Sequence, residues 1–343
     1  MCIYCRLICV VFFPVLVPAS LWASVGSAWA PGVSRESGWI DVNKAWNPYS
    51  SADISAIGSG AYSDASMCWA AQSSNMLQYW QNAYVAAGNI LPADAPDGFV
   101  VGWERATRRQ YQIFDYFVNN WTDDGGNGYY GIPWYMTGGF YDNSYPAGDG
   151  WAQRRENSAG TGGFFKNIYP DANAMFGWNY NYTRRTWEQL GDFRSYNYST
   201  TATYGAFGGY GDFSSLLINS FEKEKAVVGL SVSFINAAGE DAGGHAVTAW
   251  GCEFDENGFV TEIYLTDSDD GIVSLDSFEV VADETGVYLS TYSSAYATKI
   301  HGLSSLSVGR FLAVPEPASF SLLAGTLMLG FVAVSRRRSR FSF

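Results

Sequence analysis

Cysteine and histidine are scarce here: 343 residues hold five Cys and two His. Cys2, Cys5 and Cys9 fall in an apolar N-terminal stretch, which leaves Cys68, Cys252, His245 and His301. A Cys₄ or Cys₂His₂ zinc site would need nearly everything available, and the spacings suit neither. A dense disulfide framework is equally out of reach, although a single Cys68–Cys252 bridge stays open. Positive charge is the next shortage, with 20 Lys+Arg against 33 Asp+Glu. Arg6, Arg336, Arg337, Arg338, Arg340 and Glu316 lie within residues 1–30 and 311–343. Without those ends, 15 basic residues oppose 32 acidic ones, a net of −17. So acidic a domain is disfavoured as a nucleic-acid or anionic-membrane binder.

The ends read as sorting segments. Arg6, the apolar run 9–22 and the small-x-small triplet Ala28-Trp29-Ala30 predict a secretory leader over 1–30, with cleavage after Ala23 as the alternative. At the other end Pro315-Glu316-Pro317 precedes an apolar run over 318–334 and then the arginine cluster. That run is near the lower limit for a spanning helix, and the arginines would stay on the cytoplasmic side. The order Pro-Glu-Pro, apolar span, arginine cluster resembles the PEP-CTERM sorting signal of bacterial envelope proteins. The resemblance implies export and transient membrane attachment through residues 313–343. It also implies processing by an exosortase-type enzyme, and a final place on the cell envelope or outside the cell. An ordinary C-terminal anchor is the plainer alternative. The domain proper is then expected over 31–312.

What is abundant is apolar and aromatic: 48% and 17% of the chain. A packed core follows. Met67, Ala70, Ala71, Ser74 and Leu77 recur at helical spacing behind Ser63, Asp64 and Ser66, good N-cap types, and predict a helix over 66–82. Cys68 would sit in its first turn, where the helix dipole and unpaired N–H groups favour a thiolate and could hold an oxyanion. A buried core cysteine is the plainer reading of that residue. Further helices are expected near 102–120 and 213–223, a buried strand over 225–234, and long aromatic surface loops over 122–163 that could line a cleft or bind sugars.

A hairpin is expected next. The stretch from Gly243 and Gly244 through His245 to Gly251 reads as one strand, Asp255-Glu256-Asn257-Gly258 as the turn, and 259–266 as the return strand, ending in Asp267-Ser268-Asp269-Asp270. A two-residue loop would turn Asp267 away from His245. A three-residue loop, with Gly258 in the left-handed region, places 245 opposite 269 and 247 opposite 267, so that His245, Asp267 and Asp269 share a face. The three-residue loop is the expectation. A carboxylate behind an imidazole fixes its tautomer and steadies the imidazolium, which in turn steadies a thiolate. A satisfied core histidine and a calcium loop at 267–270 stay open.

Met67-Cys68-Trp69-Ala70-Ala71, Gly244-His245 leading to Trp250-Gly251, and Ile263-Tyr264-Leu265-Thr266-Asp267-Ser268-Asp269 together resemble the IdeS/Mac family of secreted cysteine endopeptidases. Known members of that family cleave the immunoglobulin G heavy chain below the hinge. The resemblance implies an α+β, papain-like fold, with a central helix carrying Cys68 packed on an antiparallel sheet carrying His245 and Asp267. It also implies peptide-bond hydrolysis of a protein substrate through a thioester, without cofactor or metal. Cys68 would be the nucleophile, His245 the base, Asp267 its orienter and Asp269 a supporting carboxylate. The family's oxyanion lysine, about ten residues before the nucleophile, has no counterpart there: Gly58 stands near that position, and no Lys lies between Lys44 and Cys68. Tyr62 and Ser66 are weak candidates for that donor. A non-catalytic binding module and a Cys-dependent transferase or deamidase remain as alternatives.

Overall fold

Nineteen residues without glycine or proline, Cys68–Ala86, form helix α1 at the centre of the computed structural model. The structure describes residues 26–44, 64–98, 111–126, 128–139, 152–155, 160–171, 174–175, 178–181, 186–189, 192–197, 209–269 and 272–312. Ala, Leu, Met and Gln favour the helix. Its two serines fold their hydroxyls back onto Trp69 O and Ala70 O at 2.7 and 2.8 Å instead of competing with the backbone. The helix stops where Gly88 takes φ +86° and its N–H meets Val85 O at 2.8 Å. It begins two residues later than predicted, because the polar cap is not used. Met67 is the N-cap, without a side-chain capping bond, and its N–H donates to Asp64 O at 3.1 Å.

From Trp69 to Gln81 this helix is buried on every side, so the predicted apolar stripe is only part of its contact surface. Its buried amides fasten it to its surroundings. Gln72 Nε2 donates to Leu230 O and Val247 O at 2.9 and 2.8 Å, and Asn75 Nδ2 to Thr248 Oγ1 at 3.0 Å. Buried amides without partners would cost about 1–3 kcal/mol each. Satisfied, they set the height of α1 against the sheet.

On its other side α1 packs on helices α2 (Gln112–Asn120) and α3 (Gly128–Thr137). The contact is aromatic: Trp69 meets Phe117 and Trp121 edge-on at 5.6 and 5.4 Å, and Trp121 meets Trp134 at 5.3 Å. This corrects the reading of 122–163 as surface loops. Ile132, Trp134, Tyr135 and Met136 are core residues on a buried helix. Residues 140–151 lie outside the described part.

Among the described residues, eight strands make one antiparallel sheet. β5 (Ala226–Ile235), β6 (Asp241–Phe254), β7 (Val260–Thr266), β8 (Asp276–Asp283), β9 (Gly286–Leu289) and β10 (Ala297–Ser307) pair in ring order, and β10 returns to β5. The ring hides most edges, which leaves little unpaired backbone for wrong partners. β1 (Gly26–Trp29) extends β6, β4 (Phe193–Asn197) extends β10, and β2 (Trp178–Asn181) with β3 (Thr186–Gln189) forms a separate hairpin. Helix α4 (Tyr210–Glu222) packs on the sheet, through β5 above all. The architecture is α+β.

β1 lies within the segment expected to leave as a leader. Ala28 and Ala30 are buried, Ala30 N–H donates to Trp250 O at 2.9 Å, and Tyr79 hydroxyl donates to Pro31 O at 2.6 Å. Cleavage after Ala30 would remove this strand, whereas cleavage after Ala23 would keep it. Residues 1–25, the apolar run 318–334 and the rest of the 313–343 tail lie outside the described residues. Among the described residues, no helix is long and apolar enough to cross a membrane.

Candidate active site

The expected hairpin forms with the three-residue loop. Asp255 N–H donates to Phe259 O at 2.9 Å, Gly258 N–H to Asp255 O at 3.0 Å, and Gly258 takes φ +79°. The Asp255 carboxylate accepts the N–H groups of Asn257 and Phe259, both at 2.9 Å, which holds the turn. The ladder is less regular than expected. Between Phe254↔Val260 and Glu253↔Glu262 the return strand gains Thr261; between Gly251↔Tyr264 and Ala249↔Leu265 the outgoing strand gains Trp250. These two bulges cancel. Thr248↔Thr266 restores the register set at the turn, so His245 and Asp267 come to the same face.

His245 Nε2 donates to Asp267 Oδ1 at 2.7 Å. The other Asp267 oxygen accepts the Tyr292 hydroxyl, and Oδ1 also accepts Asp269 N–H at 3.0 Å. With Nε2 so occupied, Nδ1 is the ring nitrogen left for the sulfur. Cys68 and His245 line one cleft of about 570 Å³, and each shifts the other's proton affinity. The four residues predicted for the site therefore converge: Cys68 from the start of α1, His245 from β6, Asp267 and Asp269 from just past β7. Cys252 does not. It is fully buried on β6, burial pushes its thiol up to about 12, and both cysteines are free, so the 68–252 bridge is not formed.

A lysine completes the group. The chain from β1 to Lys44 runs along α1 and the 266–274 segment. Val42 N–H donates to Asn75 Oδ1 at 3.0 Å, Lys44 N–H to Ser268 O at 2.9 Å, and Asn43 Nδ2 to Ile272 O at 2.8 Å. This strap carries the Lys44 ammonium, only 3% exposed, to 2.6 Å from Asp269 Oδ1 and onto Ala65 O beside the cleft. Sequence reasoning missed Lys44 because it sought a lysine about ten residues before Cys68. The available signal was scarcity: a lysine among Trp39, Ile40, Val42 and Trp46 in a chain with few lysines. Of the weak candidates, Ser66 lines the cleft, its N–H engaged by Asp123 Oδ1 at 2.7 Å, and Tyr62 lies outside the described residues. Tyr292 carried no signal at all in the sequence.

The charges agree with the contacts. Burial pushes the Cys68 thiol up, but the hydrogen bond and charge of His245, with Lys44 behind them, outweigh it and leave the thiol below its ordinary value. Burial pulls the His245 imidazole down, but Asp267 and Cys68 hold it well above its ordinary value. Burial raises Asp267, yet the imidazolium and the Tyr292 hydroxyl hold its carboxyl at about 2. Lys44 loses to burial and regains more from Asp269 and Cys68. Both directions favour the charged forms, thiolate and imidazolium, which are the forms suited to nucleophilic attack and proton donation.

His245, Asp267 and Asp269 also bring potential metal ligands within 4.8 Å of one another. Each is already matched within the protein: Asp269 by the ammonium, Asp267 by imidazole and phenol. A cation would have to displace Lys44, so this donor set fits an ion-pair network better than a calcium site.

No curated protein matches the chain. A family model described as Mac 1 matches residues 194–298, under a third of its length. That segment contains His245, Asp267, Asp269 and Tyr292 and excludes Cys68 and Lys44, so it is over the sheet side of the cleft that the chain is similar to the Mac 1 family.

Proposed function

We propose that the chain is a secreted, papain-like cysteine endopeptidase. The supporting observation is the convergence of Cys68 and His245 on one cleft, with the Asp267 carboxylate behind the imidazole. The match to the Mac 1 model over the sheet segment adds support, since IdeS/Mac peptidases use such a group. In this reading the Cys68 thiolate attacks the scissile carbonyl carbon. The His245 imidazolium protonates the departing amine, and the peptide's acyl part stays on sulfur as a thioester. The neutral imidazole then takes a proton from water, whose hydroxide attacks the thioester and regenerates the thiol. Asp267, with Tyr292, holds the ring by its Nε2–H throughout. The oxyanion would face the Cys68 N–H at the start of α1 and the Lys44 ammonium.

The immunoglobulin specificity of known IdeS/Mac proteins is not part of this proposal; the substrate class is protein or peptide. The leader-like and PEP-CTERM-like ends extend the reading to a bacterial envelope or extracellular protein handled by exosortase-type machinery. A sugar-binding module is the weaker reading, because Trp134 and Tyr135 of its supposed aromatic face are core. A transferase or deamidase would share the residues and differ in what captures the thioester. The test is cleavage of casein and a peptide library by wild type and Cys68→Ala, with alkylation of Cys68 against Cys252. Hydrolysis that disappears in the variant, and Cys68 alkylated much faster near pH 7, are the expected results. Equal cleavage by both proteins would refute the reading.

A further inference from the structure

The chain has two histidines, and both line the same cleft. His245 is accounted for; His301 is not. His301 is the extra residue of a bulge in β10, where Ile300↔Val232 is followed by Gly302↔Ser231. Bulges re-aim side chains, and they concentrate near active sites. The ring is held in place: His301 Nδ1 lies 3.0 Å from Ser233 Oγ. Ser231, Val232, Gly244 and Ala246 line the same cleft, as do Gly125 and Gly126. A Cβ on Gly126 would come within 2.4 Å of the Trp69 ring, so that position admits no side chain.

Resting on the peptidase reading, we propose that His301 forms a specificity subsite in this cleft. It would take a substrate side chain ending in a carbonyl or carboxylate oxygen, Gln or Glu, beside the scissile bond. With Ser233 donating to Nδ1, the neutral ring presents Nε2–H; a protonated ring presents it as well. An acceptor on the ligand is thus served in both states, whereas a donor would be served only by the opposite tautomer. Ser231, which lines the same cleft, would offer a second donor. A site built around a polar partner discriminates strongly against an apolar analogue, because its own polar groups are otherwise stranded.

The test compares peptide-library cleavage by wild type, His301→Leu and His301→Gln, alongside iodoacetamide alkylation of Cys68. Expected is a wild-type preference for Gln or Glu over Leu at one position flanking the cleaved bond. In His301→Leu that preference falls by about tenfold or more in kcat/KM and passes to Leu. In His301→Gln it is partly kept, and alkylation is unchanged throughout. An unaltered profile in His301→Leu overturns the proposal. So does a parallel loss of alkylation, since His301 would then be holding the cleft together. If the wild type cleaves no peptide, the hydrolytic reading fails separately, and peptide binding to Cys68→Ala decides the subsite. A Gln or Glu preference that vanishes on adding His301→Leu upholds it; equal binding, or none, overturns it.

Discussion

Lys44 Nζ lies 2.6 Å from Asp269 Oδ1, and this contact joins the N-terminal strap to the segment that carries Asp267. The ammonium also helps hold the Cys68 thiol below its ordinary value. Lys44→Met is therefore expected to raise the pKa of Cys68, read from the pH dependence of its alkylation. It should also lower kcat/KM by about 10²–10³, the usual effect of removing an oxyanion donor. Asp269→Asn leaves the buried lysine without its counter-charge and should destabilise the fold by on the order of 3 kcal/mol in urea unfolding.

Asp267 sets the pH behaviour. Its carboxyl is held at about 2 against an ordinary 3.8, so its contribution to stability is full above about pH 4 and lost as pH falls through about 2. The amount is on the order of 2 kcal/mol. The stability gap between wild type and Asp267→Asn, followed by thermal unfolding, should narrow over that acid range. His245 is displaced the other way: its contribution is full below about 6.5 and lost as pH rises through its elevated value. Asp267→Asn lowers that value, so the alkaline limb of kcat/KM should move to lower pH. Tyr292→Phe removes a hydrogen bond that holds the Asp267 carboxyl down, so the acid loss of stability should move to higher pH.

The two compensating bulges can be separated. Deleting Thr261 closes one and leaves every other pair, down to Thr248↔Thr266, in place, so His245 and Asp267 still share a face. Retained far-ultraviolet dichroism and largely retained hydrolysis are expected, whereas deleting the paired residue Leu265 should abolish hydrolysis by turning Asp267 from His245. Gly258→Val, which forces a branched residue into φ +79°, should cost about 1–2 kcal/mol while leaving the register intact.

A chain beginning at Ser24 should be more stable than one beginning at Pro31. The shorter chain lacks β1, which covers β6 opposite Cys252 and Gly251. Its melting temperature should fall, and Cys252, inert in the longer chain, should react with a thiol reagent. On the reading that the chain is exported, the mass of the mature protein should place its first residue before Gly26.

Local signals made the chemistry legible. Helical spacing located α1 to within two residues at its start, and turn composition fixed the loop that brings His245 and Asp267 together. The turn could be read because Asp255 and Gly258 act on their own neighbours. The bulges at Thr261 and Trp250 could not, since a bulge depends on which residues face it across the ladder. Aromatic richness over 122–163 misled for a related reason: composition alone does not say whether Trp134 meets water or Trp121. Lys44 reaches the cleft through tertiary contacts with Asn75 and Ser268, which spacing along the chain does not encode.

The strap and the last strands have a consequence for biosynthesis. Lys44 is among the first of the described residues to leave the ribosome, and Tyr292 and His301 are among the last. On the peptidase reading, a half-made chain already exposes the sulfur but lacks the groups that arm it. Activity is thus deferred by the order of synthesis until nearly the whole domain has emerged and closed its ring of strands.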